Sequence, residues 1–156
     1  MPFFFDKLIV VMEGNKMGDV YAEFTLRNEA DIILARCGHI PEKNIRTATI
    51  TALVDTGAHT LVMNETLREE LGLAVVDSQT IILADGSETP CGITEPVEVR
   101  WEDRTACVRA WVVPDEGMVL MGVIPLEEME LIVDPNIQRL VRPQKRRIGT
   151  GYMRIA

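Results

Sequence analysis

A chain of 156 residues with 47% apolar side chains can bury one sizeable core but is too short for two ordinary domains. Its 16 basic and 24 acidic residues give a net charge of -8, which argues against a protein that binds nucleic acid or anionic membrane with its whole surface. No apolar run approaches the roughly 18 residues of a membrane span, and three scattered cysteines, Cys37, Cys91 and Cys107, make no disulfide framework. They are expected to be small buried apolar side chains in a reducing, cytoplasmic setting.

From the N-terminus, Phe3-Phe4-Phe5 and Leu8 to Val11 resemble a signal peptide, but Asp6 and Lys7 interrupt the apolar run and no basic segment precedes it. A buried strand is expected there, and residues 1–16 are set apart as an N-terminal extension. Val20, Ala22, Phe24 and Leu26 then alternate with polar residues, as do Ala48, Ile50, Ala52 and Val54, so both segments read as half-buried strands. Between them, Asn28 to Asn44 leaves helix, hairpin and loop all open. Asn64 can cap a short helix whose Leu67 and Leu71 share a face and whose Gly72 marks its end. Ile81 to Ser87 reads as a hairpin with an Asp85-Gly86 tip.

Beyond the hairpin, Ile93, Val97, Val99 and Trp101 form a strand expected at a sheet edge because Pro96 interrupts it. Ala106, Val108, Ala110 and Val112 form another. Short apolar runs at Met118 to Met121 and Leu131 to Val133 add two more, and Pro125 with Glu127 and Glu128 opens a second helix with proline at its first position. From Pro135 onward there are six basic residues and no acidic one, so the charge of the remainder is -14 once those six are set aside from the total of -8. Only Tyr152 is aromatic in this stretch, and residues 144–156 read as a solvated or self-docking tail rather than a nucleic-acid arm. The whole is one mostly β domain, residues 17–143, with one or two short helices.

The chemistry lies at Ala52-Leu53-Val54-Asp55-Thr56-Gly57-Ala58. A carboxylate at the end of an apolar strand is costly unless something satisfies or uses it. The structural explanation is a turn in which Asp55 accepts a hydrogen bond from the backbone two residues on. The context argues for more. Asp-Thr-Gly-Ala after an apolar strand, then Leu61-Val62-Met63 and a short helix, then Leu120-Met121-Gly122 and a second short helix, resembles the retroviral-type (retropepsin-like) aspartic proteases. The likeness runs from about Met17 to Pro143. It is nearest the bacterial subgroup through Pro125-Leu126-Glu127 and Val133-Asp134-Pro135.

The resemblance implies an all-β, closed, retropepsin-like barrel and an endopeptidase that hydrolyses extended peptides or proteins without metal or other cofactor. Its catalyst would be Asp55, with Thr56, Gly57 and Ala58 supporting the active-site loop. Leu120, Met121 and Gly122 would pack beneath that loop, and Ala84, Asp85, Gly86 and Ser87 would form the tip of a flap. Two carboxylates held about 3 Å apart keep one proton between them, so one can accept a proton from water while the other polarises the peptide carbonyl. Asp-Thr-Gly occurs once in this chain, so a twofold homodimer must supply the second Asp55.

His59 stands where the family more often has Asp, Ser or Thr, and the hairpin tip has one glycine where retroviral flaps have several. His39 beside Cys37 falls short of a structural zinc set. Two rival readings are a dimer that grips extended peptides without cutting them and a phosphate-transfer enzyme. The latter would need a second nucleotide-binding half and more glycine than the chain has.

Overall fold

The computed structural model describes residues 9–10, 18–83, 85–114, 117, 119–143, 147–148 and 151–152. Strand β1, Ile9–Val10, is followed by β2, Val20–Asn28, in which Val20, Phe24 and Leu26 are buried as the alternation requires. β2 pairs antiparallel with β3, Thr47–Val54, from Val20 opposite Val54 to Arg27 opposite Thr47. The alternation in β3 ends in three consecutive buried residues, Ala52, Leu53 and Val54, because its last turn of pleat is covered on both faces. Ala52 and Val54 enter the main core, and Leu53 enters a second, smaller cluster.

The stretch whose conformation the sequence leaves open is a third helix, α1, Glu29–Arg36, followed by a short 3₁₀ turn at Glu42–Asn44. Asn28 caps α1 by accepting from the Asp31 N–H at 3.1 Å, while its own amide donates to the Leu71 carbonyl at 2.8 Å. Asp31, buried, accepts from the Arg46 backbone N–H at 3.0 Å, its Nε at 2.8 Å and its NH2 at 2.9 Å. These polar ties hold an exposed helix, with Ile33 and Leu34 facing outward, against the sheet. The one or two helices expected are therefore three.

β4, Leu61–Asn64, leads into α2, Glu65–Leu71, where Asn64 accepts from the Leu67 N–H at 2.8 Å and Gly72 ends the helix with φ of 62°, both as the sequence predicts. β5, Val75–Leu83, and β6, Glu88–Trp101, form the expected hairpin, and β7, Arg104–Val113, follows. β6 is not an edge strand: β5 and then β2 pair along one side of it, and β7 along the other. Pro96 is tolerated because it falls at a register shift against β7 and in the gap between the β5 and β2 ladders.

β8, Leu120–Met121, lies parallel to β3 and antiparallel to β4, and β4 runs parallel to β7. The pairings β2–β3–β8–β4–β7–β6 therefore return to β2. The main core is made of Phe24, Leu26, Leu61, Met63, Leu71, Val97, Val99, Met121 and their neighbours. Helix α3, Val123–Glu128, begins two residues before the expected start, so Pro125 is its third residue. Proline fits there as well, because N–H groups throughout a first turn have no partner within the helix.

β9, Ile132–Asp134, and β10, Arg139–Val141, make a separate hairpin, and β11, Arg147–Ile148, pairs with β12, Gly151–Tyr152. Arg142 ion-pairs with Glu102, at 2.6 Å, and with Asp103, and lies 5.5 Å from the Trp101 ring centre. Of the cysteines only Cys91 is buried. Cys107 is on the outward face of β7 and Cys37 follows the end of α1, so the expectation of three buried thiols fails for those two. No helix among the described residues is long and apolar enough to cross a membrane. Most of the extension at 1–16 and of the tail at 144–156 lies outside the described residues.

Candidate active site

β3 delivers Asp55 to the end of the paired sheet. There its backbone N–H donates to the Met121 carbonyl at 3.0 Å, continuing the β3–β8 ladder by one bond. Carboxylate Oδ1 accepts from the Gly57 N–H at 2.8 Å, and the Asp55 carbonyl accepts from the Ala58 N–H at 3.1 Å. The turn expected on purely structural grounds is thus present, but it occupies one carboxylate oxygen. Oδ2 accepts no hydrogen bond from the described residues, and the side chain is half-buried beside exposed Thr56 and Gly57. A Cβ at position 57 would stand 3.1 Å from Oδ1, a tight contact that glycine avoids as the carboxylate folds back over its own turn.

The loop is anchored from below. Helix α3 has no side-chain cap; instead its leading N–H groups donate to the loop carbonyls, Gly122 to Thr60 at 3.1 Å, Val123 to Ala58 at 2.9 Å and Ile124 to His59 at 3.1 Å. The helix thereby satisfies donors that would otherwise be orphaned, and the loop gains three fixed points. Gly122 makes this approach possible, since a Cβ there would lie 2.4 Å from the Thr60 oxygen and 2.6 Å from the Ala58 oxygen.

Behind the loop is the smaller apolar cluster, Leu53, Ala58, Val62, Ile81, Cys91, Trp111, Val113 and Leu120. It joins the Asp-Thr-Gly-Ala segment to both strands of the β5–β6 hairpin, through Ile81 and Cys91. Burial pushes the Cys91 thiol up to about 11, so it stays neutral at physiological pH. At the tip of the hairpin, Asp85 Oδ1 accepts from the Ser87 N–H at 2.8 Å and the Ser87 hydroxyl at 2.5 Å, and these bonds hold its carboxyl below the usual range. Gly86 has φ of 84°, which favours glycine. Ala84 lies outside the described residues.

Three contributors were not singled out in the sequence. Trp111 is buried and takes the exposed His59 ring edge-on at 6.0 Å between centres. The signal for it was present, because Trp111 falls on the opposite face of β7 from Ala110 and Val112. Thr60, also buried, donates through its hydroxyl to the Arg109 carbonyl at 3.1 Å and ties the loop to β7; no periodicity announces it. Ile81 shows in the sequence only as part of a hairpin.

The described residues also form a concavity of about 550 Å³ whose lining includes Tyr21, Glu23, Arg100, Trp101, Arg139 and Leu140 but not Asp55.

The family model for aspartyl proteases matches residues 43–124, a span holding Asp55, the hairpin tip and Leu120-Met121-Gly122. No curated protein matches the chain.

Proposed function

The chain belongs to the aspartyl protease family, and from that premise we propose that it is a retropepsin-like endopeptidase whose catalytic dyad is formed by Asp55 of two copies. The observation that carries this reading is the state of Asp55. Its loop is fixed by bonds to Met121, Gly122, Val123 and Ile124, yet one carboxylate oxygen has no partner among the described residues and the group stands at an exposed rim. A second copy brought up about a twofold axis supplies what a single chain lacks, and the cycle of strand pairings supports the closed, retropepsin-like barrel that such a dimer needs.

In the dimer the two carboxylates share one proton. The ionised one takes a proton from a water as its oxygen attacks the scissile carbonyl carbon, and the protonated one gives its proton to the carbonyl oxygen. The carboxyl that took the water's proton then gives it to the amide nitrogen while a hydroxyl of the tetrahedral diol gives its proton to the other carboxylate, and the C–N bond breaks to leave acid, amine and the dyad with its one shared proton. The Thr56 hydroxyls join the two loops across the axis. Leu120, Met121 and Gly122 hold each loop at its depth. The Ala84 to Ser87 tip closes over an extended peptide and adds strand-like hydrogen bonds to it. Three cysteines that form no disulfide support a reducing, cytoplasmic setting.

Incubation with a mixed peptide library from pH 4 to 7, with products read by mass spectrometry, tests the proposal. Cleavage by the parent and none by Asp55→Asn is expected. Cleavage by both variants removes Asp55 from the chemistry, and strong peptide binding without any cleavage favours the non-catalytic dimer.

A further inference from the structure

Strand β5 is one arm of the proposed flap, and its outer edge is available for pairing. β6 takes up its inner edge over Val75 to Ile82, and on the outer side the described residues pair with it only at two positions. These are Ile82 and Leu83, next to the hairpin tip, and their partners are the chain's own Ile9 and Val10, running parallel. An unpaired strand edge is a row of N–H and C=O groups that accepts any extended backbone. The occupied stretch is close to the catalytic loop, because Ile81, the residue before it, packs in the same cluster as Ala58 and Leu53. Residues 9–10 therefore run about one strand spacing, roughly 4.8 Å, from the flap strand, directly after the residue that packs in the cluster behind the Asp55 loop.

We propose that the outer edge of β5 at Ile82–Leu83 is a docking edge for extended peptide, and that in the resting chain its occupant is the chain's own Ile9–Val10 segment, which competes with substrate. The inference rests on the protease reading for what the competition means, but the docking itself does not. If the segment is docked in about nine chains of ten, apparent affinity for any peptide using that edge is lowered about tenfold.

The test uses the full chain with Ile9→Pro and Val10→Pro together, since proline removes the N–H that pairing needs. Both this chain and the parent first carry Asp55→Asn, so that nothing is cut. A fluorescent peptide of residues 1–16 is expected to bind the proline chain about tenfold more tightly than the parent. Amide exchange in β5 should accelerate while β2 and β3 stay protected. With Asp55 restored, KM for a peptide substrate should fall about tenfold with little change in kcat.

Equal peptide affinity for both chains, unchanged exchange in β5, or an unchanged or raised KM would overturn the inference. Lost protection in β2 and β3 would show that the prolines unfold the chain, and Ile9→Gly with Val10→Gly then weakens the same pairing with the same expected directions. If binding and exchange behave as expected but no chain with Asp55 cleaves any peptide, the docking edge stands and the protease reading falls.

Discussion

Gly122→Ala probes the mechanical core of the site. The added methyl would lie 2.4 Å from the Thr60 oxygen, 2.6 Å from the Ala58 oxygen and 2.7 Å from the Thr60 nitrogen. All three are backbone atoms, so no rotamer change relieves the clash, and the loop must withdraw by roughly 0.5–1 Å. Withdrawal strains the three bonds from Gly122, Val123 and Ile124 to the loop carbonyls. At about 1 kcal/mol net for each bond, with overpacking added, the cost is about 2–4 kcal/mol. For a chain of this size that lowers Tm by roughly 4–16 °C. Because a misplacement of about 1 Å can cost about 100-fold in rate, peptidase activity at temperatures where the variant remains folded should drop by that order. Thermal unfolding and a cleavage assay on the same preparation give both numbers. A variant with the parent's Tm and the parent's kcat/KM would refute the claim that this contact sets the depth of the Asp55 loop.

The Arg46 bonds hold the Asp31 carboxyl below its ordinary 3.8, so this pairing stabilises the fold above that value and its contribution is lost as pH falls through the lower folded one. Arg46→Ala should therefore destabilise at neutral pH, with the gap to the parent narrowing below about pH 4, as urea unfolding across pH can measure. Asn64→Ala removes the α2 cap and should cost about 1 kcal/mol in the same assay with no direct effect on cleavage. Gly86→Val places a β-branched residue at φ of 84° in an exposed tip, so turnover should fall far more than Tm. Parent-like cleavage by that variant would place the flap elsewhere.

Much of this architecture was legible because it is local. Period-two burial gave β2, β3 and β7; Asn64 and Gly72 bracketed α2; Asp85-Gly86 marked the hairpin tip. What escaped the sequence depends on chain segments meeting from far apart. Pro96 looks like an edge signal until the three neighbours of β6 are known, and then it marks a gap between ladders. Helix α1 hides because its apolar stripe is weak and its anchors, Asn28, Asp31 and Arg46, are polar groups whose partners lie up to 44 residues away. The α3 boundary shifted because its cap is the Asp55 loop, not a side chain. Asp55, Gly57 and Gly122 could be named from their motifs, whereas Thr60, Ile81 and Trp111 join them only through the smaller core cluster.

Whether one site needs Asp55 from two chains can be read from a mixing experiment. Parent and Asp55→Asn chains are combined at fixed total concentration, where light scattering shows dimers, and are left to exchange partners before cleavage is measured. If both carboxylates of a dyad are required, only parent–parent pairs cut, and activity follows the square of the parent fraction, falling to about a quarter at equal proportions. Activity that falls in simple proportion, to about half, would mean that each chain works alone and would contradict the account.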